Sequence, residues 1–224
     1  MIARAAVRPI WHPSPNFGPR RDGLTPRMIV LHYTGMRDAE DALARLCDPS
    51  AEVSAHYMIA PSGQVWQLVA EDQRAWHAGA GAWRGCDDIN SRAIGIELVN
   101  TGAHPFPDPQ MRQLEALLAQ VMARWAIAAD RIIAHSDMAP DRKEDPGPRF
   151  DWRRLARQGL AFWPEGFGAD LPLAASLDAI GYPLAAPEKR LQAFRFRFLP
   201  MEQGPETVRD RQRASHVAAS VPTV

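Results

Sequence analysis

Apolar and polar positions alternate along the chain in blocks that predict its strands and its principal helix. Five short apolar runs are typical of buried strands, and they lie at residues 28–32, 53–60, 64–69, 93–99 and 131–135. The turn Pro61-Ser-Gly63 joins the second run to the third and predicts a hairpin. A helix is predicted over 109–125, where apolar residues recur on one face, with Asp108 as its cap and Pro109 in its first turn.

Shorter helical patterns complete the predicted order of elements. They lie at residues 40–46, 151–160, 172–178, 187–198 and 206–219. Strands alternating with helices indicate an α/β domain, and the hairpin makes its sheet mixed. We therefore expect a central mixed β-sheet flanked by helices in residues 27–165, preceded by an extended arm in residues 1–26. Residues 166–224 begin with a Gly/Pro-rich linker and are expected to form a small three-helix module.

The charge balance argues against a nucleic-acid partner. The 224 residues contain 26 Lys and Arg against 26 Asp and Glu, so the formal net charge is zero. The only two cysteines, Cys47 and Cys86, occur in unlike contexts, which argues against a disulfide framework and a thiolate metal cluster. We expect a monomer.

The N-terminal sequence and the apolar runs bear on where the protein acts. No apolar run approaches the ~20 residues that a membrane helix needs, so we expect no membrane insertion. Arg4, Arg8 and Pro9 interrupt the N-terminal segment, which argues against a secretory signal peptide. The cytoplasm is the expected compartment, and the cell envelope or periplasm is the less favoured alternative.

Three side chains are candidates for a metal site. His32 ends the first predicted strand and His135 ends the fifth, and α/β proteins commonly place their sites at the carboxyl ends of strands. Asp145 follows in a turn-rich segment. A catalytic zinc ion usually takes three protein ligands and leaves its fourth position to water. Either histidine alone could merely cap a strand through hydrogen bonds, but two at matching strand ends favour a zinc site.

One carboxylate and one ammonium group are candidates for catalysis. Glu97 lies within the apolar run 93–99, where a carboxylate is costly unless it is paired or used. It could form a salt bridge with Arg92 or Lys143, or it could act as a general base with a raised pKa. In the second interpretation Lys143, two residues before Asp145, stabilises an oxyanion.

The remaining histidines are weaker candidates for metal ligands. His12 and His216 lie in the arm and the tail, and His104 precedes a proline in a loop. His56 falls within a predicted strand and is expected in the core or behind the metal ligands. His77 lies in a loop, where it is either a substrate contact or a packing residue.

Five motifs in one order resemble those of a known family. They are Val30-Leu-His-Tyr-Thr-Gly35, Val53-Ser-Ala-His-Tyr57, Ala75-Trp-His-Ala-Gly79, Asn90-Ser-Arg-Ala-Ile-Gly-Ile-Glu97 and His135-Ser-Asp-Met-Ala-Pro-Asp-Arg-Lys-Glu-Asp-Pro-Gly147. Across about residues 14–165 the chain resembles the zinc-dependent N-acetylmuramoyl-L-alanine amidases of the amidase-2 family, and within it the AmpD/AmiD group. The resemblance implies a mixed sheet flanked by helices. It also implies hydrolysis of the amide between L-alanine and the lactyl group of N-acetylmuramic or 1,6-anhydro-N-acetylmuramic acid. Because no signal peptide is expected, the predicted setting is the recycling of muropeptides rather than lysis of the wall.

The resemblance assigns roles by position. It implies that zinc is bound by His32, His135 and Asp145, and that Glu97 and Lys143 are the catalytic pair. Ala55 stands where some relatives place a catalytic tyrosine, which implies the glutamate-dependent variant. The residues expected to contact a muropeptide, or a larger peptidoglycan fragment, are Trp76, His77, Trp83 and Arg84.

The tail has a resemblance of its own. Residues 177–200 resemble the small peptidoglycan-binding-like module of the AmiD type, with Ala193, Phe194 and Phe198 as core positions. Such a module could bind glycan or could serve only as a scaffold. The rival interpretation for the whole chain is a non-catalytic protein that binds or senses peptidoglycan fragments. Such relatives typically lose a zinc ligand, whereas all three candidates are present here.

Overall fold

The computed structural model describes residues 6–222. Its strands are β1 (Ile10–Trp11), β2 (Phe17–Pro19), β3 (Met28–Tyr33), β4 (Tyr57–Ile59), β5 (Val65–Gln67), β6 (Gln73–Ala75), β7 (Ala93–Leu98) and β8 (Ile132–Ala134). Its α-helices are α1 (Ala39–Cys47), α2 (Ile89–Arg92), α3 (Asp108–Trp125), α4 (His135–Met138), α5 (Trp152–Ala156), α6 (Leu173–Ile180), α7 (Pro187–Phe198) and α8 (Val208–Ser220). Short 3-10 turns lie at Arg21–Gly23, Pro49–Ala51 and Ala129–Arg131.

Six of the strands form one mixed sheet in the order β1-β5-β4-β7-β3-β8. The pairs β3–β7, β3–β8, β4–β7 and β1–β5 are parallel, and the predicted hairpin β4–β5 is antiparallel. Strands β2 and β6 form a separate antiparallel pair. The predicted class, an α/β fold with a central mixed sheet flanked by helices, is confirmed.

Strand β3 lies inside the sheet and is covered on both faces. Its alternate residues belong to two different clusters, because successive side chains of a strand point to opposite faces. Ile29 and Leu31 join the core under α3, whereas Met28 and Val30 join a second core that includes the C-terminal helices. A strand buried on both faces has a continuous run of apolar residues in its sequence, which is why β3 could be predicted from the sequence.

Helix α3 matches its predicted span and differs at its cap. Its apolar face packs on the sheet, and the chain leaves the helix through Ala126 in the left-handed conformation. Asp108 was expected to cap the helix, but Pro107 occupies the cap position and Asp108 lies in the first turn. The Asp108 carboxylate instead pairs with Arg112 and Arg154. Among residues 6–222, no helix combines the length and apolar character needed to cross a membrane.

Two predicted elements are shorter in the structure. The strand expected over 53–60 is reduced to β4, because Ser54 bonds through its main chain and its hydroxyl to the main chain of Trp76. The helix expected over 151–160 is reduced to α5. It ends because Gly159 adopts a positive φ of 71° and Leu160 donates back to the Leu155 carbonyl, which closes the last turn.

The described part of the N-terminal segment runs along the domain in extended form. Strand β1 adds to the edge of the main sheet, and β2 pairs with β6. Arg20 places its guanidinium among main-chain carbonyls, including those of Glu71 and Ala93. Burial therefore lowers the pKa of Arg20 to about 10.

The three predicted C-terminal helices form and cover one face of the sheet. Leu177, Phe194 and Val217, one from each helix, are buried in the same cluster as Met28 and Val30. The expected core positions of α7 are all buried, at Ala193, Phe194 and Phe198.

One buried ion pair ties α7 to the sheet domain. The Arg197 guanidinium donates to Asp137 Oδ2 at 2.6 Å and to the Ile132 carbonyl, and it lies 4.3 Å from the ring centroid of Trp152. Asp137 also accepts from the hydroxyl of Tyr182. The C-terminal helices therefore contact the segment that carries His135 through charge as well as apolar packing.

Candidate active site

The three candidate metal ligands converge in the structure. His32 Nδ1 and His135 Nδ1 are 2.9 Å apart, and Asp145 Oδ2 lies 3.1 Å from the first and 3.0 Å from the second. All three residues are buried. Their donor atoms therefore form a nearly equilateral triangle beneath the surface.

Neighbouring parallel strands bring the two histidines together. Leu31 pairs with Ala134 across the parallel strands β3 and β8. The residues that follow them, His32 and His135, therefore lie at the same edge of the sheet. Asp145 arrives from the following loop, and its carbonyl accepts from the amide of Ser136 at 3.0 Å. The sequence separates these residues widely, and the parallel register joins them.

The charge states suit a divalent metal. Burial, and next the neighbouring His135, lower the pKa of His32 to about 4, so its imidazole is neutral at pH 7. Burial alone would raise the pKa of Asp145, but the close contacts of its carboxylate with His135 and His32 outweigh it, and the pKa lies well below its ordinary range. The group thus presents a neutral imidazole at His32 and a carboxylate at Asp145, which are the forms that bind metals.

The triangle also has the size that a metal requires. Ligand atoms about 2.0–2.1 Å from one tetrahedral ion lie roughly 3.3 Å from each other, close to the three separations observed. At 2.9 Å the two imidazole nitrogens are close enough to share either a proton or a cation. This group of His32, His135 and Asp145 can therefore bind a metal ion.

Glu97 is the register partner of His32. The two residues lie opposite each other on the parallel strands β7 and β3, so their side chains share one face of the sheet. Both Glu97 and Lys143 line a cavity of about 440 Å³ that also contains His135 and Asp145. The cavity thus brings the carboxylate and ammonium candidates together with two of the three candidate metal ligands.

The electrostatic setting of Glu97 is unusual for a carboxylate. Burial, and next the negative charge of Asp145, raise its pKa to about 8, while Lys143 acts in the opposite direction. Its Oε2 atom is buried without a hydrogen-bond partner in the described chain. The alternative of a salt bridge is not found within residues 6–222, and Arg92 donates instead to the Asp87 carbonyl.

The four predicted substrate contacts divide into two pairs. Trp76 and His77 line the cavity. Trp83 is buried against Tyr182, and Arg84 donates to the Ile180 carbonyl at 3.2 Å while pairing with Asp130, so both contribute to the interface with the C-terminal helices. Neither Trp83 nor Arg84 is among the residues that line the cavity. They lie elsewhere because the chain reverses in a tight turn in which Trp83 and Cys86 pair.

The other histidines lie outside the ligand triangle. His12 is exposed, and His216 packs against Gly166 in the tail. His104 approaches the side chain of Asn100 in a loop. His56 is fully buried just before β4, where its ring bonds to the main chain on both sides.

Three residues that contact the site, Ala78, Asn90 and Arg142, were not predicted from the sequence. Arg142 lines the cavity and donates to the Ala78 carbonyl at 2.9 Å. The carbonyl of Ala78 also accepts from His135 Nε2, and Asn90 accepts two main-chain amides of the same loop. The main-chain carbonyl of Ala78 and the Asn90 side chain that binds its loop give no recognisable signal in the sequence. Arg142, in contrast, is a second cation directly beside Lys143 and could have been predicted to line the site.

The protein thus has an α/β fold with a buried His, His, Asp group that could bind a metal ion at the carboxyl edge of its sheet. The family model of N-acetylmuramoyl-L-alanine amidase, Amidase_2, matches residues 22–148, more than half of the chain. The protein belongs to the Amidase_2 family.

Individual relatives agree with this assignment. The chain is 39% identical over 164 residues to N-acetylmuramoyl-L-alanine amidase AmiD of Escherichia coli, a match that covers 66% of this chain and 58% of that relative. It is 38% identical over 160 residues to 1,6-anhydro-N-acetylmuramyl-L-alanine amidase AmpD of Salmonella typhimurium, covering 64% of this chain and 86% of AmpD. The matched segment therefore spans less than two thirds of AmiD and most of AmpD.

Solved structures extend the similarity to the tail. AmiD from E. coli, in complex with the substrate anhydro-N-acetylmuramic acid-L-Ala-D-gamma-Glu-L-Lys, superposes with a TM-score of 0.75 at 30% identity, over 89% of this chain and 90% of that chain. AmpDh3 from Pseudomonas aeruginosa superposes with a TM-score of 0.80 at 27% identity, over 100% of this chain and 99% of that one. The C-terminal helices are thus included in the shared fold.

Proposed function

We propose that the protein is a zinc-dependent N-acetylmuramoyl-L-alanine amidase that acts on muropeptides. It would cleave the amide between L-alanine and the lactyl group of N-acetylmuramic or 1,6-anhydro-N-acetylmuramic acid. The observation that carries the proposal is one cavity lined by His135 and Asp145, which form the triangle with His32, and by Glu97, whose Oε2 atom has no hydrogen-bond partner within residues 6–222. Family membership and the named activities of AmiD and AmpD support the choice of bond.

Zinc is the metal that fits this donor set best. Two imidazole nitrogens and one carboxylate oxygen leave a fourth position open, which is the arrangement of catalytic rather than structural zinc sites. Zinc bound there would supply Lewis acidity toward the amide carbonyl and acidify a bound water. His32, His135 and Asp145 would hold it.

Glu97 would move the proton. A carboxylate with its pKa raised toward neutrality is well matched to take a proton from the attacking water and to give one to the departing amine of L-alanine. Its partial burial and the absence of a salt bridge within the described chain leave the carboxylate available for this task.

Lys143 and Trp76 would bind the reacting molecule. The ammonium group of Lys143 lines the cavity with no ion pair in the described chain, so it can stabilise the negative charge that develops on the carbonyl oxygen. The half-buried indole of Trp76 offers an apolar wall beside the site. Recycling of muropeptides in the cytoplasm, rather than digestion of intact wall, is part of this proposal.

The test compares two glutamates of the same cavity. Glu97→Gln should keep zinc yet lose about 100- to 10,000-fold in the rate of L-alanyl peptide release from an anhydro-muropeptide, because the amide cannot accept the proton. Glu144→Gln is the matched control, since Glu144 also lines the cavity but is exposed, and its rate should stay near that of the unmodified protein. Equal rates for the two variants would contradict the role of Glu97. Absence of hydrolysis in the unmodified zinc-loaded protein would favour a binding or sensing protein.

A further inference from the structure

Two consecutive residues contact the Nε2 atoms of His32 and His135, which are the ring nitrogens that point away from the triangle. His32 Nε2 lies 3.1 Å from His77 Nδ1, and His135 Nε2 lies 3.0 Å from the carbonyl oxygen of Ala78. The dipeptide His77-Ala78 therefore contacts both candidate histidine ligands on the side away from the triangle.

These contacts select the tautomers that metal binding needs. A carbonyl oxygen only accepts, so His135 Nε2 carries the proton and its Nδ1 keeps a lone pair for the metal. His32 reaches the same state when its Nε2–H donates to His77 Nδ1. Hydrogen bonds to the outer nitrogen of a ligating histidine orient the ring and increase its basicity.

One buried side chain fixes the position of this dipeptide. Asn90 Oδ1 accepts the main-chain amide of His77 at 3.0 Å and that of Ala78 at 2.8 Å. Asn90 is 6% exposed, and its main-chain carbonyl accepts from the half-buried guanidinium of Arg20 at 3.2 Å. Asn90 is thus hydrogen-bonded through both its side chain and its main chain, although it touches neither histidine ligand.

We infer that Asn90 is a positioning residue for the metal site, acting through His77 and Ala78 on His32 and His135. One amide oxygen restrains both imidazoles, so the loss of that oxygen should loosen both ligands together. The inference rests on the proposed function, because it takes the triangle to be a metal site.

The experiment measures the affinity of the metal-free protein for Zn²⁺ by competition with a coloured chelator. Asn90→Leu keeps the approximate side-chain volume and removes the acceptor, and it should weaken zinc binding about 10- to 100-fold. Asn90→Asp retains an oxygen that accepts both amides, and its affinity should return toward that of the unmodified protein. Gln110→Leu is the control: Gln110 is also buried and donates to two carbonyls, those of Ile59 and Val99, but it does not contact the His77-Ala78 loop.

The outcomes separate this inference from the proposed function. The inference is overturned if Asn90→Leu and Gln110→Leu bind zinc equally well, or if Asn90→Asp is as weak as Asn90→Leu. If Asn90→Leu does not fold, His77→Gln and His77→Leu give the same comparison, since glutamine keeps an acceptor for His32 and leucine has none. A failure of the unmodified protein to bind zinc contradicts the proposed function instead.

Discussion

At the scale of single residues, Glu97 and His32 illustrate how a site arises from strand register. Each follows a run of apolar residues on a parallel strand, and the register places them opposite each other. The apolar flanks bury the carboxylate and raise its pKa to about 8, and the same sheet buries the imidazole and lowers its pKa to about 4. Opposite shifts on neighbouring side chains are typical of functional sites.

Acid should destabilise the protein through His56. Burial first, and the charge of Arg20 second, lower its pKa to about 3. Because its Nδ1 accepts from Gly95 and its Nε2 faces the Gln73 carbonyl, the neutral ring satisfies both neighbours. Between about pH 6.5 and 3 the unfolded chain binds a proton at His56 that the folded protein does not, so stability is greatest above pH 6.5 and falls as pH decreases.

The predicted loss of stability at low pH can be checked by urea unfolding at two pH values. From pH 7.5 to pH 5 the free energy of unfolding should fall by about 2 kcal/mol more in the unmodified protein than in His56→Gln. His104→Gln, at an exposed loop residue, should retain the full dependence. A steeper pH dependence in His56→Gln than in the unmodified protein would show that the sign is wrong.

A single methyl group at Gly95 should disturb the ring of His77. A Cβ built on Gly95 would lie 2.4 Å from that ring, far inside van der Waals contact. Gly95→Ala should therefore cost about 1–3 kcal/mol of stability and weaken zinc binding. Gly18→Ala is the matched control, since its added Cβ meets no atom within 4 Å. Thermal unfolding and zinc titration of both variants test the contact, and identical behaviour would refute it.

At the scale of elements, the strands buried on both faces and the helix with a single apolar face could be predicted from the sequence. Strands β3 and β7 are apolar on both faces, and the residues at their ends could be recognised as candidate ligands or bases. Helix α3 was predicted from its single apolar face. The positions of Trp83 and Arg84 could not be predicted, because a tight turn in the loop carries them from the cavity to the C-terminal helices.

The contact between α7 and α4 predicts a large effect from one arginine. Arg197→Met would leave Asp137, which is fully buried, without its cation, and the expected loss is about 3–5 kcal/mol of unfolding free energy. The double variant with Asp137→Asn should recover part of that loss, because the uncompensated charge is gone.

An exposed ion pair supplies the control for Arg197. Arg153 and Glu165 form a pair whose side chains are 52% and 72% exposed, so Arg153→Met should change stability by less than about 1 kcal/mol. Denaturant unfolding of the three variants tests this ranking. Equal losses at Arg197 and Arg153 would mean that the buried pair does not hold α7 on the domain.

At the scale of the whole molecule, the three C-terminal helices complete the core beneath the site. They cover the sheet face to which Met28, Val30 and the side chain of His32 belong. In this chain the tail is therefore packed into the domain, whether or not it also binds glycan.

The most direct test of the account is to remove the metal and measure hydrolysis. The protein should bind one Zn²⁺, lose release of L-alanyl peptide from an anhydro-muropeptide when a chelator strips the metal, and recover it when zinc is restored. Asp145→Asn should retain little zinc under the same conditions and should not recover. Full hydrolytic activity in protein verified to be free of metal would contradict the central claim that His32, His135 and Asp145 form a catalytic zinc site.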